Sequence, residues 1–289
     1  RKLEKNNELV YVSAGEGTTS QGDFHEALNW ASNSKAPIIF HIQDNEYAIS
    51  THKSIQNADS VYAMSAGYRN LARYDVNGVD FFETNLAFKE ATERARKGKG
   101  PSLIVSNVVR LLPHSSSDDQ RKYRTEEELV NDKKRDPIRI LQNQCIDSKI
   151  ILMEEFEKVN DKIKRSIDED IKWALDQNNP EPSEAILHVY SNEIAINEPA
   201  LNLISSNKII LVDAINHALK EEMSLNDKMI IYGQDIADPK GGVFTATKGL
   251  SKNFGIERVF NAPLAESSII GTAIGLAVTG YKPVVEIQF

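Results

Sequence analysis

The sequence has little that would mark a secreted, membrane-bound or nucleic-acid-binding protein. It contains one cysteine, Cys145, among 289 residues. No intrachain disulfide can form, and the count fits a reducing, cytoplasmic setting. The neighbours of Cys145, Ile140 to Ile146, pattern as an apolar helix, so it reads as a packing residue rather than a nucleophile. Excess positive charge is missing too. The formal net charge is −8, which argues against nucleic acid or an anionic membrane as partner. The basic runs Lys133-Lys134-Arg135 and Arg94 to Lys99 sit among acids and read as solvated helix faces. No apolar run is long enough to cross a bilayer, and no signal-peptide pattern is visible. The dinucleotide fingerprint is also lacking: Gly-x-Gly-x-x-Gly begun at Gly15 would need glycine where Ser20 stands.

What is present is ordinary globular composition, 40% hydrophobic and 26% charged, in a chain long enough for two domains. Residues 9–109 alternate short apolar runs with amphipathic ones. Leu9 to Ser13, Pro37 to Gln43, Ala72 to Val76 and Leu103 to Val109 read as strands. Ser20 to Asn33, with Ser20 as cap, Ser60 to Tyr68 and Phe82 to Lys97 read as helices. Such repeated βα units predict a doubly wound, mostly parallel sheet with helices on both faces. From Arg110 the chain becomes a Ser-rich loop, followed by helices at Glu126 to Asp132, Pro137 to Cys145 and Lys149 to Gln177. The last carries one apolar stripe that suits a brace or a subunit contact. A Pro/Asn/Ser-rich stretch over 178–207 marks a domain boundary, with 183–207 read as the linker. Residues 1–182, with a helical extension over 126–178, therefore form one expected domain. Residues 208–289 form a second α/β domain, truncated at its end. In it Glu266 to Thr279 reads as an apolar helix with Gly271 and Gly275 spaced for close packing. The chain opens on Arg1 rather than Met and ends in a strand-like run, so we expect an internal piece of a longer chain.

Three groups of residues carry possible chemistry. Gly15-Glu16-Gly17 follows a strand, and Asn45 follows the next one, beside an exposed-looking Tyr47. In a parallel sheet both ends emerge at the same edge. A carboxylate, an amide oxygen and backbone carbonyls there form a hard-oxygen set suited to Mg²⁺. The Gly-x-Gly turn alone also occurs in plain tight turns. The second group is His114-Ser115-Ser116-Ser117-Asp118-Asp119, with Arg110 four residues earlier as an anion partner. A histidine in such a loop is commonly mere surface. The third is Glu266 at the start of its helix, where an acid is favourable in any case and costly to bury unpaired.

Taken together, these motifs resemble the thiamine-diphosphate enzymes, and more closely the E1 component of the 2-oxo acid dehydrogenase complexes. The resemblance rests on Gly15 to Ala27 continuing to Asn45-Glu46-Tyr47-Ala48-Ile49-Ser50, and on His114 to Asp119 with Tyr123-Arg124. It extends to Gly233-Gln234-Asp235, Gly241 to Phe244 and Arg258 to Glu266, which look like the start of an E1 β subunit. The resemblance implies two thiamine-diphosphate-binding-fold domains, α-type and β-type, fused on one chain. It implies Mg²⁺ held by Glu16, Asn45 and the Tyr47 carbonyl, with Gly15, Gly17, Arg110 and His114 around the diphosphate. Glu266 would meet the aminopyrimidine, and His114 would serve acyl transfer. The implied reaction is oxidative decarboxylation of a 2-oxo acid, with the acyl group passed to the lipoyl group of an E2 partner. The implied assembly is a dimer of fused chains, α2β2-like. Glu16 in place of Asp, and the Tyr47 to Ser50 ending, lean toward branched-chain 2-oxo acids, with pyruvate and acetoin enzymes as alternatives. A transketolase-like enzyme fits the His114 loop poorly, and a non-catalytic α/β binding module is the reading from another class. Ser115 matches a position phosphorylated in some relatives. Asp44 departs from the Asn-Asn pair common before this tyrosine and brings extra negative charge to the site.

Overall fold

The computed structural model describes residues 3–4, 6–189 and 208–288. In chain order the strands are β1 (Val10–Gly15), β2 (Ile38–Asp44), β3 (Tyr47–Ala48), β4 (Thr51–His52), β5 (Ala72–Asn77), β6 (Ser102–Asn107), β7 (Met229–Gly233), β8 (Val259–Asn261) and β9 (Lys282–Glu286). The α-helices are α1 (Gly22–Ser34), α2 (Lys53–Gln56), α3 (Val61–Met64), α4 (Phe81–Arg96), α5 (Glu126–Lys134), α6 (Pro137–Asp147), α7 (Met153–Leu175), α8 (Leu211–Leu225), α9 (Leu250–Phe254) and α10 (Glu266–Val278).

Strands β1, β2, β6 and β5 form one parallel sheet in that order. The apolar runs of the two central strands, β2 and β6, are covered on both faces, whereas β1 at the edge stays largely exposed. Phe40, Ile42, Leu103 and Val105 meet Phe24, Leu28 and Ala31 of α1 on one face. Ile39, Val76 and Ile104 meet Ala87 and Ala91 of α4 on the other. Each such fully buried aliphatic side chain contributes about 1.5–3 kcal/mol relative to exposure. Helix α4 starts where the Asp80 carboxylate accepts the backbone N–H groups of Phe82 and Glu83, an N-cap of the expected kind.

A second parallel sheet, β8-β7-β9, repeats the plan. Met229 and Ile231 of β7 pack with Met223 of α8 and Leu250 of α9. Ile230 and Tyr232 pack with Ile269 of α10. Trp30 of α1 joins this second core, with its ring 5.9 Å from that of Tyr232. The residues group into one compact unit of Arg1–Leu141 with Ile209–Phe289, and a second of Gln142–Lys208. The expected 183–207 linker falls within the second unit, and α1 and α10 lie together in the first, where the Ser268 N–H meets Glu26. Residues 190–207 of that linker lie outside the described residues.

Local expectations needed four corrections. Ser20 does not cap α1: residues Glu16–Ser20 wind as a 3-10 turn, and Gln21, extended, precedes the helix. The Ser20 hydroxyl instead reaches Asn57 Oδ1 at 3.2 Å. The helix expected over 149–177 begins only at Met153, because Lys149 takes a left-handed φ of 56° and the Glu155 carboxylate accepts the Leu152 N–H. A Cβ at Gly271 or Gly275 would meet no other residue within 4 Å, so their spacing serves no close packing among the described residues. Tyr47, expected to be exposed, is buried.

Candidate cofactor site

The site is built at the C-terminal edge of the first sheet. Gly15 and Gln43 are partners in the β1–β2 register, so Glu16 and Asn45 emerge side by side. Glu16 opens the 3-10 turn and is 1% exposed, yet among the described residues no group makes a well-formed hydrogen bond to either carboxylate oxygen. Burial raises its pKa, and the charge of Asp44 adds to that rise. The backbone N–H groups of Glu16 and Asn45 and the positive charge of Arg110 oppose it. The turn is held from behind, where Thr19 Oγ1 donates to the Glu16 carbonyl at 2.6 Å and accepts from Asn57 Nδ2 at 3.0 Å. It also lies so close to β3 that a Cβ on Gly17 would sit 2.6 Å from the Ala48 Cβ. Only glycine allows that approach.

Beyond β2 the chain turns tightly. Asp44 is buried and its Oδ1 accepts the Glu46 N–H at 2.9 Å. The Asn45 amide oxygen accepts the Tyr47 N–H at 3.1 Å and keeps a second lone pair. Glu46 and Ile49 adopt left-handed φ values of 72° and 57°. The extra charge expected from Asp44 is offset locally: Lys53 Nζ lies 3.2 Å from Asp44 Oδ2 and 3.1 Å from Glu46 Oε1. Burial disfavours the charged lysine, but the two carboxylates outweigh it and raise its pKa. Lys53, nine residues after Asp44, carried no signal in the sequence.

Arg110 ties this turn to the His114 loop. Its Nη1 donates to the Ile49 carbonyl at 2.8 Å and its Nη2 to the Tyr123 hydroxyl at 2.7 Å. The guanidinium also lies 5.7 Å from the ring centres of Tyr47 and Tyr123, within cation–π range. Tyr123 donates to Asp118 Oδ2 at 2.6 Å, and the same oxygen accepts the His114 N–H at 2.9 Å. Those two bonds hold the Asp118 carboxyl below the ordinary range. The buried Tyr47 donates its hydroxyl proton to Glu128 Oε1 at 2.9 Å. Glu128 in turn closes a capping box with Thr125 at the start of α5. Arg124, also buried, pairs with Asp132 and donates to the Arg110 carbonyl. Two arms of Arg110 are thus engaged within the protein, and only its buried Nε is without a partner. The His114 side chain is exposed.

Glu266 stands apart. It is the first residue of α10 and is exposed rather than buried. It is also paired: Gln234 Nε2 donates to its Oε1 at 2.7 Å. Gln234 follows β7 directly and is the functional candidate that sequence reasoning missed; its signal was its place at the C-terminal end of a central strand. Two residues beyond Glu266, the Ser268 N–H donates to Glu26 Oε2 of α1 at 3.0 Å. Among the described residues, no hydrogen bond or ion pair joins Glu266 to Glu16, Asn45 or Arg110. The structure brings Glu16, Asn45, Tyr47 and Arg110 together, tethers the His114 loop to them, and pairs Glu266 with Gln234.

The donor set fits a hard cation. A buried carboxylate without a partner is costly, and a divalent ion with oxygen ligands would satisfy it. No cluster of three or more His, Cys, Asp or Glu side chains forms among the described residues, so any cation here would use a mixed oxygen set. Two parallel sheets, one ending in this turn and the other feeding a helix that starts at a glutamate, agree with the resemblance to thiamine-diphosphate enzymes. A family profile described as "Dehydrogenase E1 component" matches residues 1–183, and one described as "Transketolase, pyrimidine binding domain" matches residues 207–289. The chain belongs to the dehydrogenase E1 component family.

Its relatives agree. The 2-oxoisovalerate dehydrogenase subunit alpha of Bacillus subtilis (strain 168) is 37% identical over 191 residues, covering 66% of this chain and 58% of that protein. The pyruvate dehydrogenase E1 component subunit alpha of Acholeplasma laidlawii is 35% identical over 173 residues, covering 59% of this chain and 50% of that one. The chain spans about half the length of these relatives. Among solved structures, transketolase from Leishmania mexicana superposes with a TM-score of 0.54 at 17% identity, over 96% of this chain and 42% of that one. That likeness speaks for the fold.

Proposed function

We propose that the chain is part of an enzyme that oxidatively decarboxylates a 2-oxo acid with thiamine diphosphate and Mg²⁺, passing the acyl group to the lipoyl group of an E2 partner. The observation that carries this reading is Glu16: a buried carboxylate with both oxygens unpaired, beside Asn45, at the edge of a parallel sheet. Glu16, the Asn45 amide oxygen and the Tyr47 backbone carbonyl would hold Mg²⁺. Gly15 leaves open space that the diphosphate would use, Gly17 lets the turn close against Ala48 with its backbone N–H near the diphosphate, and Arg110 keeps the turn and the His114 loop in register. Bound thiamine diphosphate supplies the electron sink for loss of carbon dioxide. Glu266 holds a proton at the aminopyrimidine N1′, and the exposed His114 serves the acceptor side as an acid or base. Because no hydrogen bond or ion pair among the described residues joins Glu266 to Glu16, we read the complete site as drawing its two halves from different copies, in a dimer of fused chains. The single cysteine is free, in keeping with a cytoplasmic setting.

For substrate we favour branched-chain 2-oxo acids, on Glu16, the Tyr47 to Ser50 run and the 2-oxoisovalerate relative. The pyruvate relatives make pyruvate the second reading. A panel of 2-oxo acids with an artificial electron acceptor, run on the intact protein, tests both. Fastest turnover of 2-oxoisovalerate is expected, and preference for pyruvate would overturn the substrate assignment. Cofactor binding without turnover of any 2-oxo acid would overturn the reaction.

A further inference from the structure

The geometry points to Gln234 as a positioning residue that decides which oxygen of Glu266 carries a proton. This inference rests on the proposed role of Glu266. The orientation of the Gln234 amide is dictated by its neighbours. The backbone N–H of Gln288 lies 2.7 Å from one end of that amide. A backbone N–H can only donate, so this end is the oxygen and the other end is the NH₂ group. That group lies 2.7 Å from Glu266 Oε1. Glu266 Oε1 therefore accepts, and a proton on Glu266 sits on Oε2, which has no hydrogen-bond partner among the described residues and would face the aminopyrimidine.

The backbone around Gln234 is built to hold this arrangement. Gly233 adopts φ 148°, and a Cβ there would lie 2.1 Å from the Glu286 carbonyl oxygen. The glycine lets β7 press against β9 and brings Gln288 within reach. The Gln234 N–H donates to the Glu286 carbonyl at 3.2 Å, and its carbonyl accepts from Gln288 Nε2 at 3.3 Å. The side chain is 3% exposed, so water does not compete for its amide. The other carboxylates around this junction already have partners. Glu26 accepts from Ser268, Asp235 from Gln288 and Glu286 from Val243.

The test begins without cofactor. In the intact protein the side-chain amide resonances of Gln234 are followed by NMR as pH is raised through the carboxylate range. They should move with the titration of Glu266. The movement should vanish in E266Q and persist in E26Q and D235N. Amide resonances that stay flat, or that still move in E266Q, overturn the inference. The second measurement is turnover. In Q234E the new carboxyl can donate only while protonated, since two carboxylates this close do not both ionise readily. Its kcat should fall about tenfold, with KM within about twofold. The pH profile should also gain a fall on the high-pH side that the parent lacks. A Q234E enzyme with the parent's rate and profile would overturn the inference. A protein that turns over no 2-oxo acid but shows the Glu266-dependent movement supports the role of Gln234 and counts against the proposed function alone.

Discussion

The two glutamates at the centre of this account stand in opposite conditions. Glu16 is buried with no hydrogen-bond partner for either oxygen, whereas Glu266 is exposed and held by a buried amide. A buried carboxylate without a partner is unstable as an anion and calls for a cation from outside the chain. An exposed carboxylate with one donor is oriented and calls for nothing. On the proposed function, the first half of the site would be completed by its metal, while the second already has one carboxylate oxygen held by Gln234.

Substitutions in the first half of the site should have the largest consequences. E16A should weaken Mg²⁺-dependent thiamine diphosphate binding by about 100-fold or more, a loss of roughly 3 kcal/mol, read by calorimetry. An affinity within threefold of the parent would erase the contrast. R110A removes two hydrogen bonds and two ring contacts at once. It should loosen residues 110–125 by roughly 2–3 kcal/mol, seen as faster limited proteolysis confined to that loop.

Stability gives the finer comparison. The pKa of Glu16 is raised in the folded chain, so the folded state binds its proton more tightly than the unfolded state does. Without metal, stability should fall as pH climbs from the ordinary carboxylate value through the raised one, and then level off. E16Q should remove that slope and make the metal-free protein more stable at pH 7 by roughly 1–3 kcal/mol, measured by urea unfolding across pH. E266Q should change stability by no more than about 0.5 kcal/mol. Equal effects from the two substitutions would mean that burial does not distinguish them.

The sheets were legible because their strands are apolar enough to be covered on both faces, as in Ile38–Asp44 and Ser102–Asn107. The meeting of Glu16 and Asn45 followed from parallel topology alone. What escaped depends on contacts between residues distant in sequence or on turns too short to pattern. The 3-10 turn at Glu16–Ser20 displaced Ser20 from its cap. Lys53 offsets Asp44 through a fold-back at Glu46 that no periodicity marks. Tyr47 is buried because the Arg110, Tyr123 and Glu128 side chains arrive from beyond residue 109. Gln234 is one polar residue after a strand, and its bonds come from Glu266 and Gln288, more than thirty positions away.

The central claim is that Glu16 waits for a metal that carries the cofactor. Its most direct test is a titration of thiamine diphosphate into the intact protein, with and without Mg²⁺, in two buffers of different ionisation enthalpy. The account predicts tight binding only with Mg²⁺, with proton release near the raised pKa of Glu16 that disappears in E16Q. Binding of equal strength without Mg²⁺, or no binding under either condition, would contradict it.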